Sequence, residues 1–170
     1  MRISAVVFCF CLALASGAQD IRSFSGNWQV DEQKSKEKAV LATHQPSNAP
    51  QIPPPPPPSH KYTPENIRQS GQILKISGGE AGTTAVYTID PSGKEVTDPI
   101  PDAPGSVRVA KSHWNGGKLV TEWQMKRDGE VFMHGTDTRH LTTEGLQILE
   151  RLIESSRHHA EVHLVLERVH

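Results

Sequence analysis

The chain is poor in cysteine, since Cys9 and Cys11 are its only two and both lie in an apolar stretch near the amino terminus. Without that stretch the chain has no disulfide, no thiolate nucleophile and no thiolate metal site. It also lacks an excess of charge of either sign, with a formal net charge of −1. A near-neutral chain gives no electrostatic reason to expect nucleic acid as a partner.

Long apolar runs are missing after the first stretch. Arg2 precedes an apolar run over residues 3–15, and small residues follow it up to Ala18. This order predicts a signal peptide over residues 1–18, and therefore a protein that is secreted or exported to the periplasm. The run is shorter than the roughly 20 residues of a spanning helix, so we expect no transmembrane anchor.

Residues 19–170 are expected to form a single domain, because this length falls in the usual range of roughly 100 to 200 residues. Within the domain, residues 32–61 combine a charged cluster with an unbroken proline run from Pro53 to Pro58. Such a run forms a stiff polyproline II rod of roughly 19 Å without backbone donors, which cannot join a sheet interior. We interpret residues 32–61 as a long Pro-rich loop.

From Glu65 onward the sequence has the pattern of an antiparallel β-meander, with alternating apolar and polar residues between turn signals about ten residues apart. Turn signals at Ser70-Gly71, residues 91–93 and residues 115–117 each separate two such segments, and each predicts a hairpin. The clearest signal is Asp128-Gly129, because both residues tolerate the positive φ angles of a two-residue turn.

The Asp128-Gly129 turn predicts a strand register. With these residues as the loop, Met125 faces Phe132, and the pairs that follow lie on the same face. The opposite face carries charged side chains, among them Asp137 and Arg139, so the first face is expected to point inward. The predicted inner wall consists of Thr121, Trp123, Met125, Phe132, His134 and Thr136.

Residues 141–154 fit two patterns. Leu146, Leu149 and Leu152 fall at helical spacing, which by itself slightly favours a helix. The alternation over residues 162–169 predicts a final strand, and that strand needs a neighbour with which to pair.

The order of several short motifs resembles a known group of proteins. The chain resembles small exported bacterial proteins with a lipocalin-like, calycin-type β-barrel. The resemblance lies in four segments taken in order: Gly26-Asn27-Trp28, the proline-containing loop, the segment from Ala110 to Val120, and the final residues 164–169. The resemblance covers nearly all of residues 19–170. It implies an all-β fold, an antiparallel up-and-down meander closing into a barrel of about eight to ten strands. In such a fold residues 141–154 form a hairpin strand.

The resemblance implies a structural role for Gly26, Trp28 and Arg168. Gly26 lets the backbone bend tightly, while Trp28 plugs the closed end of the barrel beneath the Arg168 guanidinium. A cation over a Trp ring contributes about 0.5 to 2 kcal/mol. We therefore expect the first and last strands to lie side by side.

For function, the resemblance implies binding of a small, largely apolar molecule inside the barrel. Trp123, Met125 and Phe132 would hold its apolar body, while His134 and the inner-wall hydroxyls would orient a polar head. A barrel of this size can instead be filled by its own side chains. In that alternative the protein is a scaffold of the cell envelope, and the run from Pro53 to Pro58 docks a partner protein.

The sequence gives no basis for naming a catalytic residue, a metal site or a cofactor. In a helix, His159 and His163 would lie one turn apart and could share a metal ion. In a strand they lie about 13 Å apart, too far to share a zinc ion unless neighbouring strands supply further ligands. The common motifs of metalloproteases, serine hydrolases and phosphate-binding loops are missing. An exported enzyme is a third interpretation, without residues to assign to it.

Overall fold

A computed structural model describes residues 23–41, 62–80, 85–155 and 158–169. The predicted signal peptide and the proline run from Pro53 to Pro58 lie outside these ranges. All regular elements of the described residues are β-strands. In chain order they are β1 Gly26–Val30, β2 Lys36–Leu41, β3 Tyr62–Ser70, β4 Ile73–Glu80, β5 Val86–Ile89, β6 Ser92–Pro99, β7 Ser106–Asn115, β8 Lys118–Arg127, β9 Glu130–Leu141, β10 Gln147–Ser155 and β11 His158–Val169.

The strands form one antiparallel sheet that rolls into a nearly closed barrel. Their order around the barrel is β5-β4-β3-β1-β11-β10-β9-β8-β7-β6, and β2 adds to β11 outside this path. The predicted all-β meander is confirmed, and the barrel is compatible with a calycin-like fold. No helix in the described ranges is long and apolar enough to cross a membrane.

The first and last strands lie side by side, as the sequence predicts, with Trp28 directly opposite Arg168. Trp28 is fully buried, and the Arg168 guanidinium carbon lies 4.8 Å from the centroid of its ring. Gly26 has a φ of +141°, and a Cβ there would meet the Arg168 Nε at 3.4 Å. Glycine therefore gives both the backbone conformation and the space that this contact needs.

An apolar core surrounds Trp28. Its indole nitrogen donates a hydrogen bond of 2.7 Å to the Phe24 carbonyl, and the Phe24 ring packs at 6.1 Å from that of Trp114. Strand alternation sends every second side chain inward, which builds the core from most of the strands. Its buried members are Phe24, Trp28, Ile67, Leu74, Ile76, Ile89, Leu119, Leu149, Val162, Leu164 and Leu166.

Part of the predicted Pro-rich loop is a strand. Residues 36–41 form β2, which pairs with residues 158–163 of β11. Residues 166–169, at the other end of β11, pair with β1. On this edge of β11, β1 pairs with only part of the strand and would leave the remaining backbone groups unpaired. β2 supplies the hydrogen-bond partners of those groups. The loop prediction was therefore wrong for these residues; residues 42–61 lie outside the described ranges.

Residues 147–155 form strand β10, as the resemblance implies and against their helical spacing. The strand lies between β9 and β11 and pairs with both along its length. Gln147 and Leu149 point inward and are buried. The need of the terminal strand for a neighbour thus outweighs the local pattern.

The predicted hairpin around residues 91–93 does not form. β5 pairs with β4, β6 pairs with β7, and no ladder joins β5 to β6, so the gap between them is the seam of the barrel. Side chains bridge this seam. The Asp98 carboxylate of β6 accepts a 2.8 Å hydrogen bond from the Thr88 backbone N–H of β5, and the Arg108 guanidinium of β7 lies 4.8 Å from the Tyr87 ring centroid.

The seam yields a prediction about Asp98. Asp98→Ala should lower the free energy of unfolding by about 1 to 3 kcal/mol, because the Thr88 N–H and the Arg108 guanidinium both lose a buried partner. Asp98→Asn keeps an acceptor oxygen and should lose less. Urea unfolding of the two variants measures the difference, and equal losses would mean that the hydrogen bond across the seam contributes nothing.

Candidate functional site

The barrel interior contains a cavity of about 190 Å³ next to the apolar core. The core forms one wall of the cavity, because four core residues also line it: Ile76, Ile89, Leu149 and Leu164. The remaining lining combines apolar and aromatic side chains with charged ones. The charged side chains are Glu65, Arg108, Asp137, Arg139 and Arg151.

The β8–β9 hairpin decides which side chains reach this cavity. Its turn is as predicted, since Asp128 and Gly129 have φ angles of 52° and 87° and Arg127 faces Glu130. A β-bulge next to Met125 then shifts the register, so that Met125 pairs with Met133. Beyond the bulge, each β9 side chain points to the face opposite to the predicted one, because side chains alternate with a period of two.

The predicted inward position of Phe132, His134 and Thr136 is therefore wrong. Phe132 is 41% exposed and carries the Arg127 guanidinium 5.6 Å from its ring centroid. His134 is half exposed on the outer surface, where its Nδ1 lies 3.5 Å from the Glu154 carboxylate. Thr136 borders a groove on the same outer surface.

The β8 side chains of the predicted inner wall do face inward. Trp123 and Met125 line the cavity. Thr121 is buried deeper, with its hydroxyl oxygen 2.9 Å from that of Ser112. Gly135 lies opposite Trp123, and a Cβ there would come within 2.6 Å of the Trp123 ring, so glycine leaves the space that the indole occupies.

Asp137 is the centre of one interior network that the sequence analysis missed. It is buried, and it accepts hydrogen bonds of 2.8 and 2.9 Å from Arg151 and of 3.0 Å from the Trp123 indole. Burial alone would raise the pKa of Asp137, but the charge and hydrogen bonds of Arg151, with the charges of Arg139 and Arg108, lower it to about 2. The carboxylate is thus ionised and fixes the Trp123 ring against the cavity.

Glu65 and Arg139 form a second interior pair. The Arg139 guanidinium donates two hydrogen bonds to the Glu65 carboxylate, of 2.8 and 3.0 Å, and Gln147 donates a third of 3.4 Å. All three side chains are buried. A bidentate pair of this kind neutralises both charges and fixes their geometry.

Arg108 differs from the other two arginines of the cavity. Only 4% of the residue is exposed, and its Nη1 has no hydrogen-bond partner among the described residues. The buried Nε of Arg139 lacks a partner as well, so Arg108 differs in that no carboxylate of the described residues accepts a hydrogen bond from it. The nearest carboxylate oxygen, of Asp98, lies 3.8 Å away and already accepts the Thr88 N–H. Burial lowers the pKa of Arg108 despite the nearby charges of Asp137 and Asp98. Arg108 thus lines the cavity with a buried guanidinium that lacks a carboxylate in hydrogen-bond contact among the described residues.

Metal ligands are not grouped in the described parts of the chain: no three His, Cys, Asp or Glu side chains there are placed to hold a metal ion. His134 and His159 lie on either side of Glu154 on the outer surface, at 3.5 and 3.7 Å from its carboxylate oxygens.

No protein-family profile matches the chain, and no curated protein matches its sequence. Function is therefore inferred from the cavity and its lining.

The lowered pKa of Asp137 predicts how stability depends on pH. Because the folded pKa of about 2 lies below the ordinary value of 3.8, the stabilisation is complete above that ordinary value and is lost as the pH falls towards 2. It amounts to about 2 kcal/mol. At neutral pH the wild type should have a higher free energy of unfolding than Asp137→Asn. This difference in free energy should shrink by about 2 kcal/mol between about pH 5 and pH 2.

Urea unfolding of the wild type and Asp137→Asn across this pH range measures the difference in their free energies of unfolding. The other carboxylates are the same in both proteins, so their titration cancels in this difference. Glu122→Gln, an exposed change on the outer face, is the matched control for the substitution itself and should change the free energy of unfolding little at neutral pH. A constant difference for Asp137→Asn would contradict the assignment of Asp137 as the ionised centre of the network.

Proposed function

We propose that this protein is an exported, lipocalin-like barrel that binds one small, largely apolar molecule in its interior. The observation that carries this proposal is the cavity of about 190 Å³, which the inward side chains leave unfilled. Protein interiors are otherwise packed about as densely as organic crystals, with few voids larger than a water molecule. Export is proposed from the signal-peptide pattern of residues 1–18.

The size of the cavity limits the ligand. Small-molecule sites generally occupy roughly 300 to 1,000 Å³, and a dry cavity of about 150 Å³ takes up benzene. A space of about 190 Å³ therefore suits a compact molecule with a single ring or a short branched chain.

The lining suits the apolar body of such a molecule. Tyr87, Met125, Met133 and Ile153 contribute apolar and polarisable surface. Methionine side chains adapt to ligands of different outline because they are unbranched and flexible. Trp123 is held rigidly by its bond to Asp137 and offers a fixed aromatic surface. The proposed site thus combines one rigid wall with an adaptable one.

The alternative function, a scaffold that docks a partner through Pro53 to Pro58, depends on residues outside the described ranges. It stays a prediction. The cavity supports ligand binding, whereas a scaffold that docks a partner through Pro53 to Pro58 does not require a cavity.

Binding is tested with iodobenzene, a single apolar ring whose iodine quenches tryptophan on contact. We expect saturable quenching of the wild type, and loss of most of that signal in Trp123→Phe, which keeps Trp28 and Trp114. Ile153→Phe should weaken binding by about tenfold or more, because the larger ring occupies the cavity. Leu152→Phe, the neighbouring residue on the outer face of β10, is the matched control and should leave binding unchanged. Absence of saturable quenching in the wild type would sink the proposal.

A further inference from the structure

We propose that the ligand of the cavity carries a carboxylate head, and that Arg108 is the residue that binds it. This inference rests on the proposed function and names the chemical class of its ligand: compact monocarboxylates with an apolar body.

The first observation is the balance of charge around the cavity. Two of its three arginines are matched by carboxylates in bidentate contact, Arg139 by Glu65 and Arg151 by Asp137. The third, Arg108, has no carboxylate among the described lining residues in hydrogen-bond contact with it. The three arginines and two acids of that lining sum to a charge of +1, and the carboxylate that offsets it, that of Asp98, lies outside the lining at 3.8 Å from Arg108. A lining of this sign favours an anionic ligand over a cationic one.

The second observation concerns hydrogen bonds. Asp98 is the nearest counter-charge of Arg108; it is not among the lining residues, and its carboxylate oxygen lies 3.8 Å from the Arg108 Nη1. That distance exceeds a hydrogen bond. Since Arg108 lines the cavity and donates no hydrogen bond to a carboxylate of the described residues, a ligand carboxylate would supply the short, charge-assisted hydrogen bond that guanidinium groups form best. The lowered pKa of Arg108 agrees with a charge that its neighbours compensate only in part.

The third observation is the position of Arg108 relative to the apolar lining. Arg108 pairs with Met125 across β7 and β8, and Met125 pairs with Met133 across β8 and β9. The three side chains form one row on the inner face, and the Tyr87 ring flanks the guanidinium on the other side. A carboxylate held by Arg108 places an attached ring or branched chain against the two methionines.

Benzoate and benzyl alcohol test this inference, because they share one ring and differ in the charge of the head group. Isothermal titration at neutral pH should show the wild type binding benzoate about tenfold or more tightly than benzyl alcohol. Arg108→Met should remove that preference while retaining benzyl alcohol, and Arg108→Lys should keep part of it. Arg127→Met, an exposed arginine on β8, is the matched control and should behave as wild type.

The outcomes separate the two proposals. If the wild type binds benzyl alcohol as tightly as benzoate, or takes up iodobenzene but not benzoate, the carboxylate inference is overturned and the binding function stands. If neither benzoate, benzyl alcohol nor iodobenzene binds, the binding function fails as well. The wild-type comparison decides the inference even if Arg108→Met does not fold, and an unchanged preference in a folded Arg108→Met assigns the head group to another residue.

Discussion

The bulge next to Met125 is the constraint on which the interior of this barrel depends. A single extra residue on one side of the β8–β9 ladder turns Asp137 and Arg139 inward and sends Phe132 and His134 to the outside. Buried charges then need partners, and the neighbouring strands provide them as Arg151 and Glu65. A local irregularity of the backbone thus places the charged Asp137 and Arg139 in the interior, where a regular hairpin would have placed Phe132, His134 and Thr136.

The barrel divides its interior between two kinds of interaction. Around Trp28 the inward side chains are apolar, and the burial of their surface holds β1 and β11 together. Around Asp137 they are charged and held by directional hydrogen bonds. Apolar packing adjusts to fill space, whereas bidentate pairs fix a few distances and leave space between them. This difference explains why the cavity lies beside the charged networks.

The sequence predicts the parts of the fold that rest on local chemistry or on the alternation of side chains. The Asp128-Gly129 turn is of this kind. The pairing of Trp28 with Arg168 joins the two ends of the described chain and is expected from the resemblance of the motifs at both ends. The bulge has no comparable signal, because the turn residues determine only the pairs beside them. The seam is also hidden: the residues around Pro91 have turn chemistry, but whether β5 then pairs with β6 depends on how far the sheet has curled. As a result Trp123 and Met125 could be predicted as cavity residues, while Asp137, Arg139 and Arg108 could not.

The seam and the proposed binding residue are linked through Asp98. Where β5 and β6 lack a backbone ladder, the Asp98 carboxylate takes the Thr88 N–H. Asp98 also lies directly opposite Arg108 in the β6–β7 register, where it would be the natural hydrogen-bond partner of that guanidinium. The same Oδ2 that accepts the Thr88 N–H stays 3.8 Å from the Arg108 Nη1. Closing the barrel with a side chain therefore leaves Arg108, a residue of the cavity lining, with a charged neighbour but without a hydrogen bond to it.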